Sequence, residues 1–474
     1  MKVLIVGAGI SGLSAAIGLR KAGHETILLD KSSLSQEVGA AIHVQPNASR
    51  VLLSWGFNTE RARFVTAKSG IFASAHDLKT FDEQFFDHIE YEYGAKFYYS
   101  HRVDLHEELM KLATEEEGEG IPARVRNRAE VVKYNTEAGT VTLKDGSTLF
   151  ADLIIGADGV HSAAVKEVVG FDNPAISTGV TVLRTLIPVK DIIADEECAS
   201  LMDNLDGRFG NFIIGKSRVI WYPCRGQALS QISFIFLALG WNIPVDNSTF
   251  LNEARDYHPS LRALLRFQSF FLSSRLLFSS LAIFSSFAHS IYKAPEVKLW
   301  KLLFRAPLPT WHKGRLVIIG DAAHPMLPYQ GQAGAQAIED GLALGLLFSH
   351  LPDHYPSPSS HSESTPSSSS SSSSPPTNHP QFIHSTPPVS PTTLELRLQS
   401  FEKVRRNRAS AMQMFSNAGQ DEAEKVMESA RPYVEEGVKV PSNPKEYTEY
   451  NFRHDVRKVC EQELRRIGAV SVEV

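Results

Sequence analysis

Near the N-terminus, three glycines and one acid have the types and spacing needed to hold a dinucleotide. They are Gly7, Gly9, Gly12 and Asp30. The glycines lie between a strand-like run and the helix-like stretch LSAAIGLRKAG, and the acid ends a second strand-like run, ETILLD. In such a unit the glycines permit a tight turn, a close backbone approach to a pyrophosphate and close helix packing, while the acid binds a ribose hydroxyl. The pattern predicts an adenine-dinucleotide site, although the motif alone also fits a glycine turn in any α/β protein.

Two more carboxylates follow apolar, strand-like runs directly. Asp158 comes after DLIIGA and precedes Gly159, and Asp321 comes after RLVIIG and precedes a stretch of small residues that leads into a helix. A carboxylate at such a strand end is placed to hold a ligand, but Asp158 also fits a turn or an N-cap. We interpret His324 as structural. Since no His, Asp and Glu cluster has metal-ligand spacing, we expect no metal.

Composition narrows the class of protein. The chain has 474 residues, of which 43% are hydrophobic, and its net charge of -5 provides no basic field for nucleic acid. The three cysteines lie far apart, so we expect no disulfide framework and a reducing compartment. Glycines interrupt the apolar N-terminal run, which favours a strand and a helix over a secretory signal. We therefore predict a cytoplasmic, globular protein of two closely packed domains.

Two segments depart from compact-domain composition. Residues 356–393 are rich in serine and proline, with eight consecutive serines from Ser367 to Ser374, and predict a disordered loop. Residues 267–293 are almost entirely Phe, Leu, Ile and Ser. That stretch is long enough to cross a membrane, but Arg275, His289 and its many serines make membrane contact the weaker interpretation.

The ordered set of motifs resembles the group A FAD-dependent aromatic monooxygenases, in particular the fungal salicylate hydroxylase-like branch. The resemblance extends from Lys2 to about Leu347. It rests on VLIVGAGISGLSAAIGLRKAGH, EVGAAIHVQPNASRVLLSWG, HRVDLHEEL, DLIIGADGVHS, WYPCRG and GRLVIIGDAAHPMLPYQGQAGAQAIEDG. It implies an α/β fold in which a Rossmann-like FAD-binding domain of the GR2, p-hydroxybenzoate hydroxylase type is interleaved with a β-sheet substrate domain.

The resemblance and the sequence pattern together predict how the chain is divided. The FAD-binding domain takes residues 1–70, 100–175 and 300–350. The substrate domain takes 71–99 and 176–299, with 267–293 as an atypical insertion. A C-terminal helical region takes 394–474.

The resemblance also implies a role for individual residues. The cofactor-binding set is Gly7, Gly9, Gly12, Asp30, Ala41, Arg102, Asp158, Asp321 and Gly334. Arg102 matches an arginine that contacts FAD in the family, although it could instead be a charge on a helix surface. Asp321 matches the aspartate that accepts a hydrogen bond from a ribityl hydroxyl. Arg184 and Tyr222 match catalytic or substrate-orienting positions. An arginine can clamp a carboxylate or phenolate and a tyrosine can hydrogen-bond a substrate oxygen, although a solvent-facing arginine and a core tyrosine are the alternatives.

The implied reaction is hydroxylation of a small phenolic or salicylate-like aromatic by O2. NADH or NADPH reduces FAD, and the reduced flavin forms a C4a-hydroperoxide that transfers one oxygen. Only one GxGxxG is present, so the nicotinamide cofactor is expected to bind transiently. Two alternatives are a flavin-dependent epoxidase of a natural product and a flavin-binding protein that the insertion has impaired.

Two departures from the family pattern carry their own expectations. Residues 267–293 interrupt a segment that is continuous in the family, and we hypothesise that they come from a retained intron or a gene-model error. Ala333 stands in GQAGAQ where the family commonly has glycine. If that position needs a positive φ or a bare backbone, alanine weakens FAD binding, with Gly334 partly compensating.

Overall fold

The computed structural model describes residues 1–33, 40–202, 206–237, 254–265, 298–349, 351, 389–418 and 422–470. The Phe/Ser-rich insertion and residues 356–388 of the Ser/Pro-rich loop lie outside the described residues, so their interpretations stay predictions. Residues 391–393, which we assigned to the end of that loop, form the first turn of a helix instead.

The strands, in chain order, are β1 Lys2–Val6, β2 Glu25–Asp30, β3 Ala41–Val44, β4 Val65–Thr66, β5 Ser69–Ser74, β6 Thr80–Phe85, β7 Tyr98–His101, β8 Arg124–Asn127, β9 Val131–Asn135, β10 Thr140–Leu143, β11 Thr148–Phe150, β12 Leu153–Gly156, β13 Ile176–Pro188, β14 Arg208–Ile214, β15 Ser217–Cys224, β16 Leu229–Leu237, β17 Lys298–Phe304, β18 His312–Lys313 and β19 Leu316–Ile318. The helices are α1 Ile10–Lys21, α2 Pro46–Ser54, α3 Ile89–Tyr93, α4 Arg102–Thr114, α5 Ala164–Val169, α6 Val189–Ile193, α7 Ala333–Leu347, α8 Pro391–Phe415, α9 Ala423–Ala430, α10 Pro444–Arg453 and α11 Val456–Arg466. Residues 259–265 are also helical.

A six-stranded sheet of order β18-β19-β12-β1-β2-β8 carries part of the predicted cofactor set, the glycine turn and three aspartates, at one edge. Strands β19, β12, β1, β2 and β8 run parallel, with Val6 opposite both Gly156 and Leu29. Their carboxyl ends therefore meet. The glycine turn, Asp30, Asp158 and Asp321 all follow these ends, which is where open α/β sheets bind ligands.

A seven-stranded sheet of order β17-β13-β16-β15-β14-β5-β6 forms the second layer. Its outer face is apolar, and Trp221 and Phe234 pack there against Tyr257 and Leu261. Successive strand residues alternate between faces, so Arg184 and Tyr222 fall on the inner face, toward the six-stranded sheet. The hydrogen bond from Tyr222 to β3 fixes that orientation.

Helix α7 packs between helix α1, near the N-terminus, and two helices of the C-terminal region. A Cβ at Gly341 would lie 2.4 Å from the Ser14 carbonyl carbon, so only glycine lets α7 touch α1 this closely. On its other side α7 packs against α8 and α11.

Two boundaries differ from those predicted by sequence. Strand β17, which includes residues 300–304, pairs with β13 in the seven-stranded sheet. Strand β7 starts at residue 98 and pairs with β3 and β4 in a small sheet of its own.

Candidate functional site

The three fingerprint glycines play different parts in the turn after β1. Gly7 has a φ of 105°, and a Cβ there would lie 2.3 Å from the Ala157 carbonyl oxygen. A Cβ at Gly12 would lie 1.9 Å from the Gly7 oxygen, whereas none of the described atoms lies within 4 Å of a Cβ at Gly9. Backbone packing thus requires two of the glycines. Gly9, in contrast, borders open space that a bound ligand can enter.

Asp30 at the end of β2 closes that turn. Its Oδ2 accepts from the Ala8 amide at 2.8 Å, and its Oδ1 accepts from the amide and hydroxyl of Ser32 at 2.8 and 2.6 Å. A carboxylate offers about four acceptor positions, so about one stays available to a ligand hydroxyl.

Asp321 lies in a short 3-10 turn, Gly320–Ala322, that follows β19. Among the described residues its carboxylate has no hydrogen-bond or ion-pair partner, and its side chain is exposed. Protein nevertheless surrounds it on most sides. This burial raises the pKa of Asp321, while His324, Arg102 and Arg305 act in the opposite direction. A solvent-accessible carboxylate that is crowded by protein but has no partner from the chain is expected where a ligand supplies the hydrogen-bond donor.

A buried carboxylate on α7, Asp340, fixes the turn that carries Asp321. Its Oδ2 accepts from the Gly320 amide at 3.0 Å and lies 2.6 Å from His324 Nε2, while its Oδ1 accepts from Arg405 Nε at 2.9 Å. Burial alone would raise the pKa of Asp340, but His324 and Arg405 outweigh it and lower the pKa. His324 therefore has the structural position expected from the sequence.

Glu339 extends this buried network toward α2. It forms an ion pair with Arg405 and accepts from Asn47 Nδ2 at 2.6 Å, and Asn47 also donates to Gln332 at 3.0 Å. The side chains of Glu339, Asp340 and Arg405 are fully buried. Our sequence reasoning missed these residues. The available signal was an acidic pair in the middle of the otherwise apolar helix AGAQAIEDGLALGLL.

Asp158 follows β12 and lies beside the glycine turn. Its Oδ2 accepts from the Ala163 amide at 3.1 Å, whereas its Oδ1 is buried with no described hydrogen-bond partner. Burial raises the pKa of Asp158. Arg305, which the sequence analysis also missed, donates to the carbonyls of Val160 at 2.7 Å and Ala322 at 2.9 Å, tying the loop after β12 to the Asp321 turn.

Arg102 is the first residue of α4, and its side chain is exposed. Its charge acts on both Asp321 and Arg184, so it lies near both groups. Two residues later Asp104, which is buried, binds Arg225 Nη2 at 3.0 Å and also pairs with Arg63. This second carboxylate ties the Arg102 helix to the end of β15.

Ala41 and Tyr222 are brought into direct contact. The Tyr222 hydroxyl donates to the Ala41 carbonyl at 2.9 Å, and the Ala41 amide donates to Gln231 Oε1 at 2.8 Å. Burial raises the pKa of Tyr222 well above its usual range, so the hydroxyl stays neutral. Its proton is committed to Ala41, which leaves the hydroxyl oxygen able to accept from another donor.

Arg184 lies on β13, opposite Ser233 of β16, and is partly buried. Burial lowers its pKa, Tyr222 opposes that effect and Arg102 adds to it. No described carboxylate forms an ion pair with its guanidinium. An arginine guanidinium stays charged even so, and a buried charge of this kind calls for an anionic or strongly polar partner.

The start of α7 corrects one expectation. Ala333 is the first helical residue and does not have a positive φ; the positive φ, 62°, belongs to Gly331. At Gly334 a Cβ would lie 2.7 Å from Ile42 Cδ1, the end of a flexible side chain, so a small shift of Ile42 would accommodate it. The part of our hypothesis that invoked φ strain at Ala333 is therefore wrong.

These groups fit FAD in kind. A bare glycine faces open space, an acid with a spare acceptor follows β2, and an unpartnered carboxylate follows β19 on the same edge. The family described as FAD binding domain matches residues 1–234 and 296–352. The chain belongs to this family.

Individual relatives agree with that assignment. The FAD-dependent monooxygenase phomE' of Diaporthe leptostromiformis is 36% identical over 430 residues, covering 90% of this chain and 94% of the relative. Hispidin-3-hydroxylase of Neonothopanus nambi is 31% identical, covering 73% of this chain and 80% of its own length. A salicylate hydroxylase substrate complex has a TM-score of 0.64 at 20% identity and covers 98% of both chains.

The FAD-dependent monooxygenase therefore has the fold class predicted by its motifs. FAD is its cofactor, as predicted. In the described part of the chain, no helix is long and apolar enough to span a membrane.

Proposed function

We propose that this monooxygenase uses NADH or NADPH and O2 to hydroxylate a small aromatic compound that carries a phenol or carboxylate. The observation that carries the proposal is Arg184. It places a partly buried cation without a described carboxylate partner on the inner sheet face, close enough to Arg102 for the two charges to interact. The names of two relatives, a hispidin hydroxylase and a salicylate hydroxylase, support an aromatic substrate.

The cofactor roles are part of the proposal. Gly9 and the start of α1 would face the FAD pyrophosphate, Asp30 the adenosine ribose, and Asp321 the ribityl chain. Arg102 would contact the cofactor from α4, and Asp158 would lie at its edge. Ala41 and Gly334 would border the flavin ring. When bound, FAD supplies hydride acceptance and O2 activation.

The chain's own residues would then position the substrate. Arg184 would bind its carboxylate or phenolate by charge-assisted hydrogen bonds. Tyr222, neutral and already donating to Ala41, would accept from a substrate hydroxyl. The single glycine fingerprint supports transient binding of the nicotinamide cofactor, and the widely spaced cysteines support a cytoplasmic location.

The test is a turnover assay with the purified holoenzyme. We expect a panel of phenols and aromatic acids to stimulate NAD(P)H oxidation and O2 uptake, with a product that has gained one oxygen on the ring. An oxygen placed across an alkene would support the epoxidase alternative. Bound FAD with no stimulation by any aromatic would overturn the proposal.

A matched pair of variants tests the role of Arg184. Arg184→Met should lower kcat/KM roughly 10- to 100-fold, the range for a hydrogen bond to a charged group. Arg208→Met is the control, because Arg208 lies on the opposite face of the same sheet and pairs with Glu83. Equal losses in both variants would show that Arg184 acts only through sheet stability.

A further inference from the structure

A row of side chains crosses the inner face of the seven-stranded sheet. Arg184 lies opposite Ser233, Ser233 opposite Ile220, Ile220 opposite Asn211, and Asn211 opposite Phe72. Directly opposed residues point to the same side of a sheet. Since Ile220 and Tyr222 are two residues apart on one strand, the row shares the face of Tyr222.

Asn211 is the unexplained member of this row. Its side chain is 7% exposed, and its Oδ1 is buried with no hydrogen-bond partner among the described residues. An unsatisfied buried acceptor is destabilising, so most such groups in native proteins have a partner. A donor from a ligand would satisfy Asn211 where the chain does not.

The two ends of the row differ in chemistry. Arg184 supplies a cation at one end. At the other, the rings of Phe72 and Phe209 are 5.8 Å apart in an edge-to-face arrangement, and both are partly exposed beside Asn211. Between them Ile220 is apolar.

The span of the row sets the length of the ligand. Arg184 and Asn211 are three strand intervals apart, and at about 4.8 Å an interval this gives a backbone separation of about 14 Å. A single substituted benzene ring is too short to engage both ends. A molecule of two or more rings would contact both.

We propose that the substrate is an elongated aromatic compound, with an acidic or phenolate group at Arg184, an outer ring against Phe72 and Phe209, and a hydrogen-bond donor on that ring at Asn211. The inference rests on the proposed function and deepens it by naming the substrate class.

Three probes test the two ends of the row independently. They are salicylate, salicylate extended by a phenyl ring, and the extended compound with a hydroxyl on its outer ring. For each, the dissociation constant is measured from the change in the flavin absorption spectrum, and KM and kcat are measured from NAD(P)H oxidation. In the unmodified enzyme, both extended probes should bind more tightly than salicylate, and the outer hydroxyl should improve binding roughly tenfold, as for one buried hydrogen bond.

The variant Asn211→Leu keeps the side-chain size and removes the polar end. It should abolish the advantage of the outer hydroxyl by raising KM for that probe about tenfold, with kcat and the salicylate constants within about twofold. Asn135→Leu is the control, because Asn135 is exposed on β9, outside this sheet. Retention of FAD by both variants reports that the fold is intact.

Several results would overturn the inference. They are equal binding of all three probes, an outer hydroxyl without effect, or a hydroxyl advantage that survives in Asn211→Leu. If salicylate is hydroxylated while the extended probes are rejected, the proposed function stands and the elongated substrate is wrong. If no probe stimulates NAD(P)H oxidation while other aromatics of the panel do, the elongated substrate alone is wrong, and if no aromatic does, both proposals fail.

Discussion

Asp321 lies in the short turn Gly320–Ala322, and Asp340 hydrogen-bonds to that turn, but the two carboxylates differ in their partners. Asp340 is fully buried and accepts hydrogen bonds from Gly320 and Arg405, with His324 Nε2 in hydrogen-bond contact, whereas Asp321 has no described partner and is exposed. Asp340, which stabilises the turn, has all its partners within the chain. Asp321, which lies in the turn, has an unpaired carboxylate that a ligand can bind.

The same contrast recurs on the substrate side. Asp104 is enclosed by Arg63 and Arg225 and fastens α4 to β15. On the sheet nearby, Arg184 has no described carboxylate partner. The buried Oδ1 of Asn211 has no described hydrogen-bond donor. The difference teaches that paired charges such as Asp340 and Asp104 hold the scaffold, and we propose that Asp321, Arg184 and Asn211 are left for cofactor and substrate.

The largest effect is expected from breaking the buried network on α7. Arg405→Met leaves Glu339 and Asp340 buried without their cation, which typically costs about 3–5 kcal/mol of unfolding free energy. Chemical denaturation measures the change. The control is Arg406→Met on the same helix, whose partly exposed pair with Glu402 should contribute less than about 1 kcal/mol. Similar losses from both variants would contradict a special role for the buried network.

The next effect concerns pH. Burial alone would raise the pKa of Asp104, but His101, Arg225 and Arg63 outweigh it and lower the pKa from 3.8 to about 2. A carboxylate whose pKa is lower in the folded state stabilises above its unfolded pKa, and that stabilisation disappears as pH falls toward the folded pKa.

We therefore expect Asp104 to contribute about 2 kcal/mol that is lost between about pH 5 and pH 2. Denaturation curves across this range should show a shallower pH dependence for Asp104→Asn than for the unmodified enzyme. Asp82→Asn, on the exposed edge strand β6, is the control for losing a carboxylate outside this ion-pair cluster. Parallel curves for the enzyme and Asp104→Asn would count against this ion-pair cluster.

The smallest effect is expected at Ala333. Because its backbone is helical, Ala333→Gly relieves no strain, and glycine should cost at most about 0.5–1 kcal/mol of stability. We expect the dissociation constant for FAD to stay within about threefold. A large gain in FAD affinity would show that the alanine methyl group obstructs the flavin.

The residues at the ends of parallel strands were predictable because their spacing in the sequence reports the strand and turn that position them. The glycine turn, Asp30, Asp158 and Asp321 share one sheet edge for that reason. Tyr222 was placed in the second sheet by its motif, but its bond to Ala41 depends on how two sheets pack, which no local pattern encodes.

The residues missed by sequence reasoning act over long separations. Arg405 is 65 residues from Asp340 in the chain, and Arg305 joins two loops that come from different strands. Asn211 became visible only when strand register placed it in line with Arg184. The acidic pair of α7 stands in an otherwise apolar helix, but no local pattern identifies Arg405 as its partner.

The most direct test of the paired and unpaired carboxylates compares Asp321→Asn with Asp340→Asn, measuring unfolding free energy without FAD and the dissociation constant for FAD. We expect Asp321→Asn to leave the stability of the FAD-free protein unchanged and to weaken FAD binding roughly 10- to 100-fold. We expect Asp340→Asn to destabilise the FAD-free protein. Loss of stability in Asp321→Asn with unchanged FAD affinity would contradict the account.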